Sequence, residues 1–229
     1  MAPIPKRHEV TRSMRDAVRG LYAITDASLQ PPDALLSRAE MVLRGGAAVL
    51  QYRDKGGDSA RRRREAADLL ALCRDFDALF VVNDDAELAI DIGAPAVHLG
   101  RDDGTLAAAR DRLGPRRLIG VSCYGSLARA DRLAAAGADY LAFGRVYPSS
   151  TKPDAAPVTR ETLEAAVRRY RQPVVAIGGI TPGNVAPLVA MGVDAVAVIK
   201  GVFGAADPRD AAARIAGFFD SREGAPSGG

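Results

Sequence analysis

The chain has 229 residues, of which 48% are hydrophobic and 26% charged, an ordinary globular balance that excludes wholesale disorder. Lysine and arginine exceed the acids by only three charges, 31 against 28, too little to argue for nucleic acid as a partner. Cys73 and Cys123 stand 50 positions apart with no C-x-x-C spacing, so neither a disulfide framework nor a zinc site is expected. Met1-Ala2-Pro3-Ile4-Pro5-Lys6-Arg7 lacks the apolar run of a signal peptide, so none is expected. The uncharged stretch from Gln172 to Val193 is broken by three prolines and several glycines, which argues against a membrane span. A soluble, cytoplasmic protein is the expectation.

In chain order, short β-rich runs recur at Leu21–Thr25, Val49–Arg53, Leu79–Asn83, Ala96–Gly100, Leu118–Ser122, Tyr140–Gly144, Val174–Gly178 and Ala195–Ile199. Between them lie Ala-, Leu- and Arg-rich helical patterns, such as Asp33–Arg44, Asp58–Arg74, Ser126–Ala136 and Thr159–Tyr170. Apolar runs of four or five residues alternating with longer helices indicate parallel strands buried on both faces. Eight such units predict a single (β/α)8 TIM barrel over residues 21–220, with an N-terminal extension over 1–20 and a disordered Gly/Ser/Pro tail over 221–229. A short helix in the extension would cover the bottom of the barrel. The alternative, a doubly wound open sheet, calls for fewer strands and a glycine-rich turn after the first, where Asp26-Ala27-Ser28 stands instead. The four arginines Arg61 to Arg64 read as a solvated helix face.

Active-site groups of such barrels come from the C-terminal ends of the strands and the loops after them. After strand two, period-two alternation places Gln51, Arg53 and Lys55 on one face and Leu50 and Tyr52 on the other. Cations facing the barrel mouth need an anion, either a bound ligand or ion-pair partners such as Asp54. Strands three and four end in Asn83-Asp84-Asp85 and in His98-Leu99-Gly100-Arg101-Asp102-Asp103. Carboxylates at adjacent strand ends suit Mg2+, which takes one or two and fills the remainder with water and phosphate oxygens. Asp85 and Asp102 fit helix N-caps as well, and His98 reads as a hydrogen-bonded core histidine. Cys123 reads as a structural thiol. After strand six, Pro148-Ser149-Ser150-Thr151-Lys152-Pro153 has the composition of a phosphate-binding or closing loop, and equally of a plain surface loop. Strand seven leads into Gly178-Gly179-Ile180-Thr181-Pro182, with Thr181 as expected N-cap and Pro182 as first helical residue, and strand eight leads into Ile199-Lys200-Gly201. Glycine turns at these two ends suit a phosphate.

Five segments, Gln51-Tyr52-Arg53-Asp54-Lys55, Val82-Asn83-Asp84-Asp85, Val97-His98-Leu99-Gly100, Pro148-Ser149-Ser150-Thr151-Lys152 and Ala176-Ile177-Gly178-Gly179-Ile180, stand in this order at matching strand ends. Together with Leu21-Tyr22-Ala23-Ile24-Thr25-Asp26 they resemble the thiamine-phosphate synthase family, from Leu21 to about Phe203. The resemblance implies a Mg2+-dependent transferase of thiamine biosynthesis, joining 4-amino-2-methyl-5-hydroxymethylpyrimidine diphosphate to a thiazole phosphate with release of pyrophosphate. It implies Asp84 and Asp103 as metal ligands. Gln51, Arg53, Lys55, Asn83, Ser122 and Lys152 would form the pyrimidine-diphosphate site, with Arg53, Lys55 and Lys152 acting on the leaving group. Ser149, Ser150, Thr151, Gly179, Ile199 and Lys200 would hold the thiazole phosphate. Ser149 stands where many members have Thr, and Lys200 where Ser is common. Small-molecule substrates are the expected partners, with no nucleic acid and no membrane; a homo-oligomer stays open. Two further readings remain. A thiazole tautomerase generally lacks the paired acids and the Thr-Lys segment, and commonly has a His where Cys123-Tyr124 stands. A non-catalytic phosphometabolite-binding barrel would need no metal.

Overall fold

The computed structural model describes residues 17–100, 105–148 and 157–223. Eight parallel strands close into a barrel in sequence order, β1 (Gly20–Ile24), β2 (Ala47–Tyr52), β3 (Leu79–Asn83), β4 (Ala96–Leu99), β5 (Leu118–Tyr124), β6 (Tyr140–Gly144), β7 (Val174–Ile177) and β8 (Ala195–Val198). The ring is sealed where Gly20 to Ala23 of β1 pair with Ala195 to Val198 of β8. The expected (β/α)8 architecture is therefore the observed one, and each apolar run lies within a residue or two of its strand. Connecting helices include α1 (Leu35–Arg44, after a 3-10 turn at Pro32–Ala34), α2 (Ser59–Asp75), α3 (Ala86–Asp91), α4 (Leu106–Leu113), α5 (Leu127–Ala135), α6 (Arg160–Arg169), α7 (Ala186–Met191), the short α8 (Lys200–Phe203) and α9 (Pro208–Glu223). Residues 1–16 of the expected extension and 224–229 of the expected tail lie outside the described residues, whereas 221–223, expected to be disordered, continue the helix α9. Among the described residues no helix is long and apolar enough to cross a membrane.

Side chains that start helices do so by satisfying backbone N–H groups the first turn leaves open. Asp58 accepts from the Arg61 amide at 2.8 Å, Asp85 from Leu88 at 2.9 Å, Ser126 from Arg129 at 3.1 Å and Thr159 from Thr162 at 3.2 Å. Asp85 is thus an N-cap, as expected. Thr181 is not. Its backbone N–H donates to Asn184 Oδ1 at 2.8 Å in a turn, and α7 begins only at Ala186 with Pro187 in its first turn. Asn184 folds back on Thr181, its amide donating to the Thr181 carbonyl at 3.2 Å, so Pro182 sits in a closed turn instead of a helix.

Two apolar layers follow from the alternation of the strands. Leu21, Ala23, Leu50, Tyr52, Phe80 and Val82 face outward and pack with Ala39, Val42, Leu69 and Leu70 of the helices. Tyr22, Ile24, Val49, Val81, Ala96, Tyr140, Ala142, Val175, Ala195 and Ala197 fill the interior. The interior combines small alanines with two tyrosines, and Gly120 is what admits the second. Gly120 pairs with Tyr140 in the sheet, and a Cβ there would lie 1.8 Å from the Tyr140 ring.

The arginine run on α2 is more than a solvated face. Arg61 pairs with Asp54 and Glu65, and Arg62 with Asp85, with about a quarter of each arginine side chain exposed (27% and 22%), while Arg63 reaches Asp91 on the surface. These pairs tie α2 to the mouths of β2 and β3.

Candidate active site

A cavity of about 420 Å³ opens at the C-terminal ends of the strands. Its floor is the interior layer, Tyr22, Ile24, Tyr140, Ala142, Val175 and Ala197. Its polar wall carries Gln51 and Arg53 from β2 and its end, Asn83 from β3, Ser122 from β5, Gly179 after β7, and Ile199 and Lys200 after β8. Seven of the residues expected from sequence are therefore brought together. Lys55 lies beside them, lining an adjoining recess with Asp26, Arg53, Asp54, Arg61 and Lys200. Asp103, Ser149, Ser150, Thr151 and Lys152, and with them Asp102, lie outside the described residues.

The cations divide into two kinds. Arg53 donates to Asp26 Oδ2 at 3.2 Å, so the ion-pair alternative holds for this residue. Burial disfavours the charged Asp26 carboxylate, yet hydrogen bonds from Ser28 and the Arg53 guanidinium outweigh it and keep its pKa below the ordinary value. The Asp54 carboxylate behaves likewise: burial raises its pKa, and the Gly56 amide and Arg61 bring it down. Lys55 and Lys200 have no ion-pair partner among the described residues. Both are exposed at the edge of the recess they line.

Asp84 takes φ of 61°, the left-handed region that short polar residues tolerate best. Its amide donates to the His98 carbonyl at 2.8 Å across β3 and β4, and its carboxylate accepts from Asn83 Nδ2 at 2.6 Å. Hard carboxylate oxygen at a strand end is suitable donor chemistry for Mg2+. No cluster of three or more His, Cys, Asp or Glu exists among the described residues, a set that leaves out Asp103. One or two carboxylates are what Mg2+ ordinarily takes, so the donor set fits it as far as the described residues go.

After β7 the chain turns through Gly178 (φ 108°) and Gly179 (φ 68°), and Gly179 packs so tightly on the loop after β6 that a Cβ would lie 2.4 Å from the Pro148 carbonyl. Tyr147 closes this corner by donating its hydroxyl to the Asn184 carbonyl at 2.9 Å. Both glycines are therefore required by the close packing of this turn on the loop after β6.

Sequence reasoning passed over Tyr22, Tyr140 and Arg145, and treated His98 as core. His98 is hydrogen-bonded as expected, its Nδ1 3.1 Å from the Tyr140 hydroxyl and its Nε2 2.9 Å from Ser122 Oγ, yet it lies on the cavity wall. Tyr22 and Tyr140 are inward-facing by the same alternation that flagged Gln51, a signal available from the start. Arg145 follows β6 and lines the cavity with a buried Nε that meets no hydrogen-bond partner among the described residues. Cys123 is fully buried, and burial pushes its thiol up to about 12, against a smaller opposing effect of Arg129. It is structural.

A sequence model described as thiamine monophosphate synthase matches residues 21–202. The chain belongs to that family. It is 52% identical over 209 residues to a thiamine-phosphate synthase of Acidithiobacillus ferrooxidans, covering 90% of this chain and 96% of the relative. The corresponding protein of Chromobacterium violaceum is 52% identical over 210 residues, 91% of this chain and 100% of its own. Among solved structures, a thiamine phosphate pyrophosphorylase from Pyrococcus furiosus superposes with a TM-score of 0.83 at 35% identity, over 91% of this chain and 98% of that one. Family, relatives and structural neighbour agree on one function, that of a thiamine-phosphate synthase, a transferase of thiamine biosynthesis.

Proposed function

We propose that this synthase is Mg2+-dependent and that the cavity and its adjoining recess divide the two substrates between them. The supporting observation is the pairing of one apolar-floored cavity, with Gln51, Asn83 and Ser122 on its wall, with a cationic rim of Arg53, Lys55 and Lys200. The pyrimidine ring sits over the interior tyrosines, against Gln51, Asn83 and Ser122. Its diphosphate extends toward Arg53, Lys55 and Lys152. The thiazole phosphate is held at the glycine turns, by Gly179, the backbone at Ile199, Lys200, and Ser149, Ser150 and Thr151.

The bond between the pyrimidine methylene carbon and the diphosphate oxygen breaks with its electron pair leaving on pyrophosphate. A carbocation-like methylene forms, and the thiazole nitrogen attacks it with its own lone pair. No proton need be removed, which accounts for the lack of an assigned general base. Catalysis then rests on neutralising the leaving group and on ordering the two rings in a water-poor pocket. Asp84 and Asp103 are the residues that would hold Mg2+, which when bound supplies positive charge beside the diphosphate oxygens. The cationic rim serves the same end, and the closed apolar floor keeps water from capturing the methylene.

Asp84→Asn tests the metal assignment with little disturbance of the backbone, because Asn accepts the left-handed conformation. Turnover should fall by roughly 100-fold or more while the unfolding midpoint holds, since a charge acting mainly in the transition state is lost. Unchanged turnover with unchanged Mg2+ dependence would end the assignment.

A further inference from the structure

Five polar side chains cross the barrel interior as one hydrogen-bonded chain. Gln51 Nε2 donates to the Tyr22 hydroxyl at 2.7 Å, the Tyr22 and Tyr140 hydroxyls are 2.9 Å apart, Tyr140 is 3.1 Å from His98 Nδ1, and His98 Nε2 is 2.9 Å from Ser122 Oγ. Tyr140 and Tyr22 are 0% and 1% exposed, and burial raises both phenol pKa values well above their ordinary range. Both phenols therefore stay protonated, and each places a single hydrogen within the chain.

That constraint gives the chain a direction. An amide nitrogen only donates, so the Tyr22 oxygen accepts from Gln51 and the Tyr22 hydrogen goes to Tyr140. Tyr140 in turn gives its hydrogen to His98 Nδ1. A neutral imidazole that accepts at Nδ1 carries its hydrogen on Nε2, which donates to Ser122 Oγ. Ser122 accepts within the chain, so its own hydrogen is available to the cavity that both Ser122 and Gln51 line. At the opposite end, Gln51 has spent an N–H and presents its carbonyl oxygen.

We propose that Tyr22, Tyr140 and His98 are positioning residues that set the hydrogen-bond polarity of the ring site, making Ser122 a donor and Gln51 Oε1 an acceptor. A ring that offers a lone-pair nitrogen to Ser122 and an amino group to Gln51 satisfies both, which is the pattern of an aminopyrimidine. An oxo-pyrimidine of the same outline offers a carbonyl where Gln51 needs a donor, and is selected against. Gly120 is part of the device, because only a residue without Cβ lets the Tyr140 ring reach the middle of the chain. The proposal deepens the assignment of Gln51 and Ser122 to the pyrimidine and rests on it.

The test reads the histidine directly. The sequence holds two histidines, His8 and His98, so 15N-histidine NMR with a His8→Asn variant for assignment isolates the relevant ring. At neutral pH the ring of His98 should be the Nε2–H tautomer. Tyr140→Phe should abolish that preference, whereas Tyr22→Phe, which leaves Tyr140 to donate to His98, should keep it. Both variants should raise the KM of the pyrimidine diphosphate by about tenfold and leave the thiazole phosphate KM within about twofold, one lost hydrogen bond's worth on one side of the site. The 4-oxo analogue of the pyrimidine diphosphate should compete poorly with the parent enzyme. An Nδ1–H tautomer in the parent would mean that the Gln51 amide is turned round and every bond reversed, and would overturn the proposal. So would an unchanged tautomer in Tyr140→Phe, or a pyrimidine diphosphate KM that neither variant moves. If one variant does not fold, the parent spectrum and the other variant still decide. A parent protein with the stated tautomer and no synthase activity would refute the assigned substrates and leave the polarity standing.

Discussion

Gly120→Ala puts a methyl group where the structure has no room. The added Cβ would lie 1.8 Å from Tyr140 Cζ and 2.2 and 2.3 Å from its two Cε atoms, whereas carbon atoms settle at about 3.5–4.0 Å. The ring has nowhere to retreat. It is 0% exposed, with the Tyr22 ring centroid 6.1 Å away and that of His98 5.6 Å away. Overpacking of a filled core costs about 1–3 kcal/mol, and displacing the hydroxyl from Tyr22 and His98 adds about 1 kcal/mol for each bond. The sum is about 3–5 kcal/mol, a large share of the 5–15 kcal/mol typical of a domain. Urea denaturation of the parent and the variant measures it, provided the m-values agree. Gly217→Ala, in α9 with nothing within 4 Å of the added carbon, is the matched control and should be neutral or stabilising by about 1 kcal/mol. In a Tyr140→Ala background the clash is gone, so Gly120→Ala should then cost under about 1 kcal/mol. A Gly120→Ala loss below about 0.5 kcal/mol in the parent would refute the packing argument, and with it the reason given for the glycine.

Lys200→Ser should raise the thiazole phosphate KM and weaken its dependence on ionic strength, while the pyrimidine diphosphate KM stays put. Asp207, the nearby acid that could have claimed this lysine, accepts instead from the backbone amides of Arg209 and Asp210; equal thiazole phosphate KM values at low and high salt would show that the charge does nothing. Cys73 and Cys123 are both 0% exposed with thiols held at about 12 by burial, chiefly, so thiol reagents at pH 8 should leave the native protein unlabelled and react at both positions only in denaturant. Rapid native labelling of either would contradict its buried placement.

The barrel was legible because β-rich runs such as Val174–Ile177 and Ala195–Val198, flanked by helical patterns, have few other ways to be buried. The inward face of β2 was legible for the same reason: period two puts Gln51 and Arg53 in phase, and both reach the cavity. Local rules failed where a distant partner outbid them. Thr181 has the chemistry of an N-cap, but Asn184 folds back on it in a closed turn whose Asn184 carbonyl is held by Tyr147 from the loop after β6. Arg61 and Arg62 look like a surface run until the fold brings Asp54 and Asp85 within reach. The direction of the tyrosine chain is further still from local sequence, since it needs side chains from five strands, β1, β2, β4, β5 and β6, and one missing Cβ at Gly120.

The central claim is that one cavity couples two substrates through loss of pyrophosphate. Purified protein supplied with the pyrimidine diphosphate alone, the thiazole phosphate alone, or both, each with Mg2+ and with chelator, tests it in a single pyrophosphate-release assay. The account predicts release only when both substrates and Mg2+ are present, matched one for one by thiamine phosphate. Both substrates with Mg2+ yielding neither pyrophosphate nor thiamine phosphate, from protein shown to be folded, would contradict it.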